Sequence, residues 1–170
     1  MHGGPRRSLC LASHGLMNSE KRPLPDILGP PDIKLGGLQI WVHSREHTSS
    51  PASISDWLTV TAHCGGSGAD IWTRGSILML SEISDWCRDC ETIYRTYSGR
   101  ATLGGIEPEL FATIEVPDRL GHIRVRVEIT PDYLRQQHKF EFELDQSYLP
   151  DVIRDCKKLL SRLGPKADTL

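Results

Sequence analysis

The sequence predicts an α+β fold: one mostly antiparallel sheet of about six to seven strands, with two amphipathic helices packed on one face, in the order βββ-α-ββββ-α. Three observations predict it. Segments before residue 75 and between residues 100 and 145 alternate apolar with polar side chains, the period of a half-buried strand. Two other segments repeat every three or four residues, the period of a helix with one apolar stripe. The strand patterns after residue 100 have one apolar and one charged face, and a single helical layer on the apolar side of one sheet covers every stripe at once.

The elements follow in order. Residues 1–35 are rich in Gly, Pro, Ser and Arg, and Pro23, Pro25, Pro30 and Pro31 deny regular helix and ladder donors. This stretch reads as a tail, with Ile27-Leu28 and Ile33–Leu35 a candidate strap, and Met17 a candidate start because nothing before it reads as structure. Residues 36–164 form the single folded domain, and 165–170 a C-terminal tail. Leu38, Ile40 and Val42 alternate with Gln39, Trp41 and His43 in the first strand. After a polar loop, Trp57–Cys64 is a second strand rich in β-branched residues. Gly65-Gly66-Ser67-Gly68 is a turn, and Ala69–Arg74 returns as the third strand of a hairpin.

Met79, Ile83, Trp86, Cys90, Ile93 and Tyr97 then fall on one helical stripe. Ser81 with Glu82 close behind is its expected N-cap region and Gly99 its stop. The opposite face carries Glu82, Asp85, Arg88, Asp89, Glu91 and Arg95. Strands resume at Arg100–Leu103, Leu110–Val116, Ile123–Ile129 and Phe140–Leu144, with a turn at Pro117–Gly121. The last helix carries Leu149, Val152, Ile153, Cys156, Leu160 and Leu163 on one stripe. Pro150 suits its first turn, Asp151 its positive end, Lys157 and Lys158 its negative end, and Gly164-Pro165 stops it. No internal repeat is visible.

Composition narrows the function. The chain of 170 residues has a formal net charge of -2, so no global basic field draws it to nucleic acid or anionic membrane. Its longest apolar runs, such as Ile77–Leu80, are far short of the roughly 20 residues of a membrane span. Five cysteines at scattered positions argue against a secreted disulfide framework. Arg6-Arg7 before Leu9–Ala12 resembles the start of a signal peptide, but the apolar stretch breaks at Ser13-His14-Gly15, so the expected location is cytoplasmic.

Candidate chemistry is sparse. Cys87 and Cys90 match C-x-x-C, yet no second ligand pair completes a zinc site, and they fall mid-helix with Cys90 on the apolar stripe, so they read as core. His43, His47, His63 and Cys64 could meet if the first two strands pair, which leaves a metal-binding or hydrolytic protein using His43, His63 and Cys64 as an alternative. The glycine-rich turn lacks the lysine and following helix of a phosphate loop. Glu141 and Glu143 share a strand face, where Arg124 and Arg126 on a neighbouring strand are expected to neutralise them. Of Trp41, Trp57 and Trp72, most are expected to be buried, although an exposed tryptophan is a common interface anchor.

The segment Leu38–Leu163 resembles the WapI-type immunity proteins of bacterial polymorphic toxin systems. The resemblance rests on Asp56-Trp57-Leu58-Thr59-Val60, the following hairpin, the helix bearing Leu80–Trp86, Glu107-Pro108-Glu109-Leu110, the Ile123–Thr130 strand and the closing helix. The tail before Leu38 and the stretch from Arg45 to Ser55 depart from it. It implies a non-enzymatic protein without cofactors that binds the C-terminal domain of a cognate toxin, typically an RNA-directed nuclease, and blocks it. A charged face complementary to a basic cleft would serve that role. Candidate contacts are Glu82, Asp85 and Asp89 on the helix and Arg124, Arg126, Glu141, Glu143 and Asp145 on the sheet. A monomer or weak homodimer is expected; a structural subunit of a larger assembly is the remaining alternative, and would expose a large apolar patch.

Overall fold

The computed structural model of the chain describes residues 27–46, 56–118 and 120–164. Expectations placed on the tail before residue 27, on Met17, on His47 and on residues 165–170 lie outside these residues. The strands are β1 (Ile33–Leu35), β2 (Leu38–Arg45), β3 (Trp57–Gly66), β4 (Ala69–Met79), β5 (Arg100–Leu103), β6 (Leu110–Glu115), β7 (His122–Ile129) and β8 (Lys139–Asp145). Helix α1 (Leu80–Thr96) follows β4, and helix α2 (Leu149–Leu163) follows β8 through a 3-10 turn, Gln146–Tyr148.

The single sheet expected from the sequence is instead two four-stranded antiparallel sheets, β1-β2-β3-β4 and β5-β6-β7-β8. The order is ββββ-α-ββββ-α, because the strap at Ile33–Leu35 is itself a strand paired with Leu38–Ile40. Alternation fixes which face of a strand is buried but not which strands share a sheet. Here α1 separates β4 from β5. Its 17 residues rise about 25 Å, enough to carry the chain away from the first sheet before pairing resumes. The helices therefore do not lie on one face of a common sheet. They pack on each other, α1 also against β5 and α2 against β1, while β3 and β4 meet β6, β7 and β8 across the interior.

Both sheets and both helices share one apolar core. Leu58, Val60 and Ala62 of β3 and Ile123, Val125 and Val127 of β7 enter it from the sheets. Ile83, Trp86, Cys90 and Ile93 of α1 and Leu149, Val152, Cys156 and Leu159 of α2 enter from the helices. The first stripe matches its expected positions except at its ends. Met79 is the last residue of β4, and Tyr97 ends the helix in the left-handed region and is 44% exposed. In α2 the buried residue is Leu159, with Leu160 only partly buried.

Helix α1 is capped at Met79 and Tyr97 rather than at Ser81 and Gly99, while α2 carries Pro150 and Asp151 in its first turn and stops at Gly164 as expected. The Glu82 carboxylate accepts the Met79 N–H at 2.8 Å, so α1 is capped one turn back from its own side chain rather than by Ser81. Tyr97, at φ 52°, donates its N–H to the Ile93 carbonyl and closes α1 before Gly99 is reached. At the end of α2, Arg45 Nη1 donates to the Leu163 carbonyl at 2.5 Å while its Nη2 donates to Asp56 at 2.8 Å. Arg162 reaches Asp32 at 2.8 Å and the Val42 carbonyl at 3.1 Å. Two guanidiniums thus tie the negative end of the last helix to the first sheet.

The β3–β4 hairpin turns at Ser67 and Gly68, both left-handed, as a two-residue loop between right-twisted strands requires. The third strand expected to stop at Arg74 continues to Met79, and Ile77 is the extra residue of a bulge opposite Leu58/Thr59. The sheets come together where Phe142 of β8 lies over Gly36 and Gly37.

Candidate docking surfaces

The outer face of the second sheet is a charged ladder. Register pairs Arg100 with Glu115, Arg124 with Glu143, Arg126 with Glu141 and Glu128 with Lys139. Side chains depart from register at one point. Glu141 takes both arginines, Arg124 at 3.2 Å and Arg126 at 3.4 Å. Glu143 then has no salt-bridge cation among the described residues. All these charges are at least partly exposed, so each pair contributes about 0–1 kcal/mol and breaks at little cost when a partner arrives.

One end of that ladder is acidic. Asp118 accepts a hydrogen bond from His122 at 3.0 Å and from the Leu120 N–H at 2.8 Å. These hold its carboxyl below the usual range, the imidazole bond being the larger cause. The same bond raises the His122 pKa, with Glu143 and Asp145 adding to it. Asp145 accepts the Ser147 N–H and is itself held low. Asp118, His122, Glu143, Asp145 and Tyr148 line a hollow of about 590 Å³.

On α1, Asp85 and Asp89 both approach Arg88, at 2.8 and 3.6 Å. Glu82 is engaged in capping. The acidic face expected there is present, yet its charge is partly spent on the helix itself.

The outer face of the first sheet holds the tryptophans. Trp41 lies opposite Leu38, Ile40 and Val42 as expected, but is only 4% exposed. It stacks on Trp72 at 5.6 Å and donates its indole N–H to the Gly29 carbonyl. His63 stacks on the other part of this cluster, 4.1 Å from Trp72, and its Nε2 meets the Asp70 carboxylate, whose pKa that bond lowers. Trp57 and Trp72 are half-buried.

His43, His63 and Cys64 are not brought together. His43 bonds Thr61, while Cys64 points through the sheet into the core, where burial pushes its thiol up to about 12. Adjacent residues on one strand face opposite ways, so His63 and Cys64 could not share a site. Among the described residues no group of three or more His, Cys, Asp or Glu is arranged to hold a metal. Cys87, Cys90 and Cys156 are buried between the helices, with their thiol pKa values raised by desolvation.

A feature absent from the sequence reading lies at the end of the molecule where α1 stops and α2 starts. Tyr94, Pro150, Ile153 and the stems of Arg95, Arg154 and Lys157 line a groove of about 530 Å³ between the helices. Tyr94, Tyr97, Leu120 and Tyr148 are 44%, 44%, 80% and 46% exposed. Tyr97 at the end of α1 lies beside His122 and Gln146, so that end of the helix adjoins the acidic hollow. Four separate segments build this surface, so no local spacing announces it.

No helix among the described residues is long and apolar enough to cross a membrane. The family model described as immunity protein WapI-like matches residues 31–164. No curated protein matches the chain. A chain of the CdiA-CT/CdiI toxin and immunity complex from Enterobacter cloacae is similar at 10% identity and TM-score 0.40, over 71% of this chain and 99% of that one. The plant transcriptional regulator PBF-2 is similar at 8% identity and TM-score 0.44, over 74% of each chain.

Proposed function

This chain belongs to the WapI-like immunity protein family, and from that premise we propose that it binds the toxic domain of a cognate bacterial toxin in the cytoplasm and blocks it stoichiometrically, with no chemistry of its own. The observation that carries this reading is the span of the match. Residues 31–164 take in both sheets and both helices, so the described fold is wholly immunity-like.

The physical requirements of such an inhibitor support it. The scaffold is stiff, because one core joins all four layers and Arg45 and Arg162 lock the last helix to the first sheet. Its outer faces carry charge that is cheap to redirect. A nuclease domain presents cations around its substrate cleft, and carboxylates such as Asp85, Asp89, Glu141 and Glu143 are suited to meet them, with Glu82, Arg124 and Arg126 beside them. One copy of the chain meets one toxin domain, whether the free protein is a monomer or a weak homodimer.

Co-expression tests the reading. Cells producing the toxin domain encoded beside this gene should grow when this chain is also produced. Death at the rate seen with the toxin alone would overturn it.

A further inference from the structure

We propose that the tyrosine-bearing end of the molecule, from the groove between α1 and α2 to the acidic hollow beside β7 and β8, is the surface that seats the toxin domain. The inference rests on the immunity reading above and names the interface that reading leaves open.

Of the eight large hydrophobic side chains exposed on the described surface, four, Tyr94, Tyr97, Leu120 and Tyr148, belong to this end; Ile27, Ile106, Tyr133 and Leu134 lie elsewhere and line neither the apolar groove nor the acidic hollow. Tyrosine is the residue type that interfaces favour, because a rigid ring adds contact area at little entropic cost and its hydroxyl stays wet until a partner comes. By contrast, Trp41 and Trp72 of the first sheet stack on each other, and Trp41 is already buried.

Charge chooses the occupant. Asp118, Glu143 and Asp145 face one hollow with His122 and with Arg124, whose guanidinium is paired with Glu141 at 3.2 Å. Among the described residues neither Glu143 nor Asp145 has a salt-bridge cation. The complementary group is a lysine or arginine of a basic protein. The groove beside it is apolar within and rimmed by Arg95, Arg154 and Lys157, of which Arg154 and Lys157 are engaged by Asp151, Asp155 and Glu91. It suits an apolar side chain. The occupant therefore sets a cation into the hollow and an apolar residue between the helices, with the tyrosines packed between those two anchors.

The test uses the full chain and the adjacent-gene toxin domain, silenced by a substitution in its own active site. Tyr94→Ala and Tyr148→Ala should each raise the Kd at least tenfold, and Glu143→Lys should slow association and flatten its salt dependence. Lys34→Glu and Arg74→Ala, exposed on the first sheet, should stay within twofold of the native chain. Unchanged melting temperatures would show that the exposed substitutions leave the fold intact. If the native chain binds and the three end variants bind equally well, the surface assignment is wrong while the immunity reading stands. If the native chain does not bind at all, both fall.

Discussion

Gly37→Ala should destabilise the protein by about 3 kcal/mol. A Cβ at residue 37 would run into the Gly65 carbonyl on the neighbouring strand and lie 2.6 Å from Cζ of Phe142 in the other sheet. The ring can shift, but the carbonyl is held in place, since Gly65 donates its own N–H to the Gly37 carbonyl at 3.2 Å. Overpacking costs about 1–3 kcal/mol, and an obstacle of backbone puts this site at the upper end. Losing the Gly65–Gly37 bond adds about 1 kcal/mol. The stiffer unfolded chain returns about 0.4–1 kcal/mol. For a chain of this length the net loss lowers Tm by about 6–12 °C. Gly66→Ala is the control: its Cβ meets no backbone, only the ring edges of Phe142 at 3.3 Å and Phe140 at 3.9 Å, so its loss should stay within about 1 kcal/mol. Urea and thermal unfolding report both. If Gly37→Ala melts within 2 °C of the native chain, roughly one kcal/mol or less, the Gly37 backbone does not approach the Gly65 carbonyl as described.

Arg45→Ala should cost about 2 kcal/mol, because it removes charge-assisted bonds to Asp56 and the Leu163 carbonyl together; urea unfolding measures it, and amides at the end of α2 should exchange faster. His122 should titrate above 6.5 by NMR, and Asp118→Asn should bring it down. Its raised pKa contributes stability that is fully present below 6.5 and lost as pH rises through the folded value. The lowered Asp118 contributes stability present above 3.8 and lost as pH falls through its own folded value, so the pair is effective in mildly acid solution. Cys64, Cys87, Cys90 and Cys156 should resist a thiol reagent until denaturant is added, since burial raises all four; rapid native labelling of Cys87, Cys90 or Cys156 would contradict the packing between the helices, and of Cys64 the burial of the inner face of the first sheet.

The local pattern carried much of the fold. Alternation at Ile123–Ile129 and the stripe at Ile83, Trp86, Cys90 and Ile93 face the core as their periods require. The division into two sheets was not legible, because a period of two says nothing about which edge a strand joins. Nor was the repeated order, four strands and a helix, since the two halves share architecture without a shared sequence period. Capping by Glu82 rather than Ser81 turned on β4 running five residues further than expected. The expected neutralisation on the second sheet held for Glu141 and not for Glu143, since one carboxylate collects both arginines. The tyrosine end joins side chains from the end of one helix, a hairpin turn, a 3-10 turn and the start of another helix, none of which marks a surface by itself. The family resemblance, read from Asp56–Val60, Glu107–Leu110 and the closing helix, agrees with the match over residues 31–164.

Titration of the purified toxin domain with this chain, reading heat and toxin activity in the same mixture, tests neutralisation most directly. Binding should saturate at one equivalent, and activity should vanish at that same point. Activity that survives saturation, or that disappears at a small fraction of an equivalent as an enzyme's action would cause, contradicts inhibition by a one-to-one complex.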